Sequence, residues 1–246
     1  MSPEETPQDA PAFYALSTGG WRDYWTLLHP PYTLWHLSYV AIGAALAPTL
    51  NVRWWLETMA AFFLAMGIAA HALDELHGRP LRTRIPDPVL WTMAVVGLGG
   101  AVALGVDGAI EATAWIWALI PIGVFLVVAY DLELFGGAIH SDLWFALAWG
   151  GFPVVTAYVA QTGRLSAGAV LAATACVAIS AAQRALSTPV RTLRRHAVSV
   201  TGSIRLDDGT SEPLDATALR RTPERALRLM SLAMPLLAAA LILPKL

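Results

Sequence analysis

Charged residues and cysteine are both scarce in this chain. Asp, Glu, Lys and Arg make up only 14% of its 246 residues, whereas 56% are hydrophobic. Soluble globular domains usually contain about 25% charged residues, so this composition argues against an ordinary soluble domain. The single cysteine, Cys176, excludes an intramolecular disulfide. The net charge of −2 gives no indication of nucleic-acid binding.

Long apolar runs are what the sequence does contain. A helix needs about 20 apolar residues to cross a bilayer, and the runs lack the alternating pattern of an outer-membrane barrel. They predict an all-α, polytopic transmembrane helical bundle with about seven spans. The seven blocks cover residues 33–50, 54–73, 88–106, 110–130, 143–161, 165–186 and 226–243.

The rest of the chain divides simply. Residues 1–20 combine acids, prolines and a glycine pair, and they predict a disordered tail. Residues 21–246 then form a single transmembrane helical domain with one short soluble insert at about residues 198–221. Within it, residues 204–209 favour a small hairpin. Thr222-Pro223 predicts the start of the last helix.

The basic residues are distributed unevenly along the predicted topology. The N-terminal side of the membrane collects 13 of the 16 Lys and Arg residues, and only Arg53, Arg164 and Lys245 lie opposite. Because basic loops stay in the cytoplasm, this bias predicts a cytoplasmic N-terminus in the inner membrane. The loops after the second, fourth and sixth spans should share that face.

The second span ends in the densest group of ionisable residues. His71, Asp74 and Glu75 stand at i, i+3 and i+4, so a continued helix puts them on one face. Ionisable residues near a bilayer are functional candidates by default. Histidine with carboxylates suits a divalent metal, and Asp131 and Glu133 are further candidate ligands. The alternative is an ion-paired helix cap involving Arg79.

Several short motifs together resemble the UbiA superfamily of membrane prenyltransferases. Residues 28–33 precede the first span, and the acidic motif of the second is followed by Arg79-Pro80-Leu81. Tyr130 ends the fourth span, and residues 149–153 read Trp-Gly-Gly-Phe-Pro within the fifth. The resemblance extends over about residues 21–200. It implies a UbiA-like helical fold, for which nine helices are usual.

The resemblance also implies a chemistry, from which this chain departs. The family holds a polyprenyl diphosphate through Mg²⁺ bridged to aspartate-rich motifs on its second and sixth helices. Of the first motif only Asp74 carries over, and the second is missing because no acid occurs between Asp142 and Asp207. Arginines stand in its place, and guanidinium groups bind diphosphate oxygens directly.

These considerations define the candidate site residues. The catalytic candidates are His71, Asp74, Glu75 and Tyr130. The candidates for binding substrate are Arg79, Arg82, Arg184, Arg191, Arg194 and Arg195. The candidate ligands for Mg²⁺ or another divalent metal are His71, Asp74, Glu75, Asp131 and Glu133.

The sequence leaves three functions open. The leading one is a divergent UbiA-like enzyme that acts on an isoprenoid diphosphate at the cytoplasmic mouth of the bundle, by prenyl transfer or terpenoid cyclisation. The second is a non-catalytic protein that binds a lipid or a membrane partner. The third is a His/carboxylate metal enzyme of other chemistry. The expected partners are the bilayer, an isoprenoid or other lipid, and a second subunit or membrane partner, but no nucleic acid.

Overall fold

The computed structural model describes residues 10–246, and this part of the chain is mostly helical. The first half contains α1 (Trp21–Leu27), α2 (Pro30–Ala45), α3 (Val52–Phe62), a π-helical segment (Phe63–Ala70), α4 (His71–Leu76), α5 (Asp87–Glu111) and α6 (Ile116–Asp131). The second half contains a 3-10 turn (Phe135–Gly137), α7 (Asp142–Phe145), a second π-helical segment (Ala146–Gly151), α8 (Phe152–Thr162), α9 (Ala167–Arg195), β1 (Ser203–Arg205), β2 (Ser211–Pro213), α10 (Ala216–Ile242) and a last 3-10 turn (Leu243–Lys245).

Five continuous helices are long and apolar enough to cross a membrane. They span Val52–Leu76, Asp87–Glu111, Asp142–Thr162, Ala167–Arg195 and Ala216–Lys245. The other two apolar blocks form α2 and α6, each of 16 residues, which is shorter than the roughly 20 residues that a perpendicular span needs. The all-α, multi-pass architecture is confirmed, whereas five full-length spans stand where the sequence predicts seven.

The two π-helical segments lie inside spans, where wide turns insert extra residues into the helix. Such segments are rare and frequently occur at functional sites. Phe63–Ala70 leads directly into α4, and Ala146–Gly151 contains Trp149. The second segment packs closely on α9, because a Cβ at Gly150 would lie 2.6 Å from the carbonyl oxygen of Cys176. Glycine therefore sets the distance between these two helices.

Helix α2 is the most central element of the fold. It packs against α8 and α10, and its Trp35 and Tyr39 are fully buried. The Tyr39 hydroxyl accepts hydrogen bonds from Trp35 Nε1 at 2.7 Å and from Ser180 Oγ at 3.1 Å. His36 Nε2 lies 3.1 Å from the side-chain oxygen of Gln183. These polar contacts tie α2 to α9 where both helices approach the candidate site.

The soluble insert differs from the sequence-based prediction at its C-terminal end. The hairpin is confirmed, with β1 antiparallel to β2 and Ile204 opposite Glu212. Helix α9 continues through Pro189 to Arg195, close to the predicted start of the insert, whereas α10 already begins at Ala216. It begins early because the Asp215 side chain accepts a hydrogen bond from the amide of Ala218 at 2.7 Å and so caps the helix.

Candidate functional site

A cavity of about 420 Å³ lies at one end of the bundle. Its wall combines the beginning of α2, helix α4, the end of α6 and the last four turns of α9. All six histidines of the chain line it; they are His29, His36, His71, His77, His140 and His196. Because these residues come from distant parts of the sequence, the fold itself gathers them at one place.

One wall of the cavity is basic. Arg184, Arg191 and Arg195 all line it from α9. Arg184 is held in place, since its Nε donates to Asp142 at 2.7 Å and its guanidinium lies 5.2 Å from the ring centre of Phe145. Within residues 10–246, Arg191 and Arg195 have no carboxylate within the 4.0 Å of an ion pair. Their charges face the cavity.

The opposite wall carries carboxyl and phenol groups. Asp74 and Asp131 both line the cavity, and neither forms an ion pair within the described part of the chain. Asp131 Oδ2 and the Tyr130 hydroxyl are buried, and neither atom has a hydrogen-bond partner in the protein. Buried polar atoms are usually hydrogen-bonded, so these two mark a place where a ligand or water would find partners.

His29 has an unusual backbone and an unpaired ring atom. It has φ 46° and ψ 53°, a left-handed conformation that is uncommon outside glycine and asparagine, and it stands immediately before α2. Its ring stacks on that of His71, with 4.1 Å between ring centres, and its Nε2 has no hydrogen-bond partner in the protein. Burial, and after it the neighbouring His71, lowers the pKa of His29 well below its usual value. The imidazole is therefore neutral at pH 7.

The N-terminal segment of residues 10–16 lies over the cavity. Arg194 donates to the carbonyl of Ala10 at 3.0 Å, and Arg195 donates to that of Pro11 at 3.3 Å. Phe13 lies 4.8 Å from the Arg228 guanidinium, while Tyr14 lines the cavity. Burial raises the pKa of Tyr14. The disordered tail predicted over residues 1–20 thus differs from the structure, because residues 10–16 pack on the bundle; residues 1–9 lie outside the described part.

Glu75 faces away from the cavity, unlike its neighbour Asp74. Its carboxylate is fully buried and accepts hydrogen bonds from the amides of Leu81 at 3.0 Å and Thr83 at 2.8 Å, and from the Thr83 hydroxyl at 2.8 Å. A carboxylate engaged in this way holds the loop between α4 and α5. The structure thus gives Glu75 a scaffold contact where the sequence predicts a catalytic or metal-binding group.

Three of the six candidate substrate-binding arginines also lie outside the cavity wall. Arg79 donates to the carbonyl of Ile85 at 2.6 Å and pairs with Asp87, so it supports the same loop as Glu75. Arg82 is exposed. Arg194 is buried and pairs with Glu224 at 2.6 Å. Of the predicted set, only Arg184, Arg191 and Arg195 reach the cavity.

The predicted metal ligands do not converge on one centre. In the described residues, no three His, Cys, Asp or Glu side chains come together as a metal site. Glu75 is hydrogen-bonded elsewhere, and Glu133 instead approaches His77 at 3.6 Å and His140 at 3.8 Å. Mg²⁺ demands near-octahedral oxygen ligands, and these residues do not supply them. The metal set His71, Asp74, Glu75, Asp131 and Glu133 therefore does not fit the structure.

An apolar groove adjoins the polar cavity. It has a volume of about 100 Å³ and runs between α3, α5, α6 and α8. Met66 and Trp149 line both spaces, so the two share a wall. Trp149 also contacts Tyr130 edge to face, with 5.8 Å between ring centres. The arrangement places a polar compartment beside an apolar one, which is the shape that an amphiphile requires.

Several residues that line the cavity were not among the predicted site residues. His29, Tyr14 and Gln183 each belong to a different segment, and no local spacing joins them to His71. His36 did carry a signal, because it is an ionisable residue within an apolar block.

Comparison with known proteins adds no family assignment. No family model, no curated protein and no solved structure matches this chain. The likeness to the UbiA superfamily therefore remains a resemblance carried by short motifs.

Proposed function

We propose that this protein is a membrane enzyme that acts on an isoprenoid diphosphate. One observation carries the proposal: a polar cavity with three arginines adjoins an apolar groove through the shared residues Met66 and Trp149. An isoprenoid diphosphate has a matching division, with an anionic head and an apolar chain. Guanidinium groups suit the head because their donors match phosphate oxygens in pairs.

The chemistry assigned to the site is cleavage of the allylic carbon–oxygen bond. The diphosphate leaves with the bonding electron pair, and the positive charges of α9 stabilise it as charge develops. The allylic cation then bonds to a nucleophile, or closes onto its own double bond, and a proton is lost. Asp131 is the base of this proposal because its Oδ2 lies buried at the cavity with no partner in the protein. The aromatic faces of Tyr130 and Trp149 stabilise the cation.

The number of membrane spans and the face on which the cavity opens belong to the same proposal. Helices α2 and α6 complete a UbiA-like bundle of seven spans where the bilayer thins locally, which is how a helix shorter than the hydrocarbon core is accommodated. The cavity then opens on the cytoplasmic face of the inner membrane, because the basic residues gather on that side. Apolar side chains exposed along α5 and α10 face lipid or a second subunit.

The test is product analysis with the purified full chain. The protein is incubated in detergent with geranylgeranyl diphosphate, and released diphosphate and lipid products are quantified by mass spectrometry. We expect diphosphate release together with a cyclised product or with the alcohol that forms when water captures the allylic cation, since no other acceptor is present. Asp131→Asn should lower the rate by roughly 10²-fold or more, as the loss of a general base does, while substrate binding persists.

The second candidate function is a non-catalytic lipid-binding protein. The observation that favours it is the lack of a convergent metal-ligand group within residues 10–246. In that case geranylgeranyl diphosphate would bind and be recovered intact from the same incubation. Recovery of unchanged substrate after saturation of the site would decide for this alternative.

A further inference from the structure

We infer that the cavity binds the diphosphate head directly through the guanidinium groups of α9, with no requirement for a divalent metal. This inference rests on the proposed function, because it specifies how the same site recognises its substrate. It departs from the mode that the UbiA resemblance implies, in which Mg²⁺ bridges the diphosphate to carboxylates.

The three arginines form one surface. They stand at i, i+7 and i+11 on a continuous helix, so their side chains share a face of α9. Arg184 is immobilised by Asp142 and Phe145. The Nη2 of Arg191 donates to Thr188 Oγ1 at 3.2 Å, and the Nε of Arg195 donates to a backbone carbonyl at 3.3 Å. These contacts orient the guanidinium groups and leave other donors for an anion.

Neutral donors complete the anion site. His29 Nε2 and the Tyr130 hydroxyl lack hydrogen-bond partners in the protein, and both residues line the cavity. Because a phenol or an imidazole N–H donates to phosphate oxygen, each fits an anionic head. Both atoms stand in the same cavity as the arginines, so a diphosphate would receive charged and neutral donors together.

A divalent cation is disfavoured in the same space. The acids that line the cavity are Asp74, Asp131 and Glu133, of which Glu133 is 42% exposed beside His77, whereas Glu75 is engaged by amides elsewhere. Helix α9 presents arginines where the resemblance expects aspartates, and their charges repel a cation. Arg191 and Arg195, which form no ion pair within the described residues, offset part of the charge of a diphosphate, so the anion has less need of a metal counter-ion.

The experiment measures binding to the purified full chain in detergent. Geranylgeranyl diphosphate is titrated by calorimetry in EDTA and again in millimolar Mg²⁺, and inorganic diphosphate and geranylgeraniol are titrated separately. We expect a dissociation constant in EDTA within about threefold of that in Mg²⁺. Inorganic diphosphate should compete for the site, whereas geranylgeraniol should bind at least tenfold more weakly because it lacks the charged head.

Charge-neutralising variants locate the binding groups. Arg191→Gln and Arg195→Gln should each weaken binding about tenfold or more in both buffers, as loss of a charge-assisted hydrogen bond does. Arg221→Gln is the control, because it makes the same charge change at an exposed position of α10. The melting temperature without ligand verifies that each variant is folded. The comparison between EDTA and Mg²⁺ is made with the parent protein, so it does not depend on the folding of any variant.

Two results would overturn the inference in distinguishable ways. Binding seen only with Mg²⁺ would refute metal-free recognition while leaving the proposed function intact. No binding of geranylgeranyl diphosphate in either buffer would refute the proposed function, and this inference with it.

Discussion

Replacing Glu75 should destabilise the protein, whereas replacing the adjacent Asp74 should not. From the sequence both residues have the same predicted role, since they stand together at the end of one span. The structure separates them, because Glu75 is fully buried on three hydrogen bonds while Asp74 lines the cavity without an ion pair in the described residues. The two changes Asp74→Asn and Glu75→Gln therefore form a matched pair.

The magnitude follows from the hydrogen bonds of Glu75. Its Oε2 accepts from Leu81 N, and its Oε1 accepts from both donors of Thr83. Glutamine keeps one acceptor oxygen and turns an NH₂ group toward the remaining donor, which leaves a buried N–H unpaired at a cost of about 1–3 kcal/mol. The other two bonds lose their charge, at about 1 kcal/mol each. The free energy of unfolding should fall by about 3–5 kcal/mol.

The assay is thermal unfolding of the detergent-purified protein, followed by circular dichroism. For a chain of this size about 2–4 °C corresponds to 1 kcal/mol, so Glu75→Gln should lower the melting temperature by roughly 6–20 °C. Asp74→Asn should stay within about 2 °C of the parent, as for a residue without stabilising partners. A Glu75→Gln variant that melts with the parent, or an Asp74→Asn variant that falls as far, would refute this account of the loop.

Three further perturbations test other parts of the structure. Because the pKa of His29 is lowered in the folded state, its neutral form is favoured there, and acidification through pH 6.5 should destabilise the protein. Between pH 6.5 and 5.5 the contribution of His29 to this loss should be about 1 kcal/mol in melting experiments, and His29→Asn, which tolerates the left-handed backbone, should reduce the loss by that amount. An equal acid loss in that variant would place the titrating group elsewhere. Gly150→Ala should lower the free energy of unfolding by about 1–3 kcal/mol because its Cβ would meet backbone at 2.6 Å. Gly99→Ala is the control and should not destabilise the protein, since its Cβ meets nothing within 4 Å. Equal melting temperatures of the two variants would contradict the close packing at Gly150. Arg82→Cys should react with a membrane-impermeant maleimide only from the cytoplasmic side. Position 82 is exposed, whereas the native cysteine is buried and should not react. Labelling from outside would contradict the predicted cytoplasmic location of this loop.

The helices and the general location of the site were predictable because both rest on local sequence. Apolar runs of span length form helices regardless of their neighbours, and the ionisable group at the end of the second span does reach the cavity through His71 and Asp74. The difference in role between Glu75, which holds a loop, and Asp74, which lines the cavity, was not predictable in the same way. Consecutive helical residues point about 100° apart, so the loop that each one meets decides its role.

The remaining differences come from long-range packing. The stacking of His29 on His71 joins residues 42 positions apart in sequence, and no spacing rule connects them. The position of residues 10–16 depends on Arg194, Arg195 and Arg228, which lie near the other end of the chain. Composition alone predicts disorder for such a segment, because it does not represent the surface on which the segment packs.

The most direct test of the central claim is photo-crosslinking with an amphiphile. A geranylgeranyl diphosphate analogue that carries a diazirine on its chain is irradiated with the full-length protein, and the labelled residues are mapped by mass spectrometry. If the head occupies the cavity and the chain enters the groove, the label should fall on Met66, Trp149 or their groove neighbours, and excess geranylgeranyl diphosphate should suppress it. Labelling confined to the outer, lipid-facing surface of α5 or α10, or labelling that excess ligand leaves unchanged, would contradict the claim.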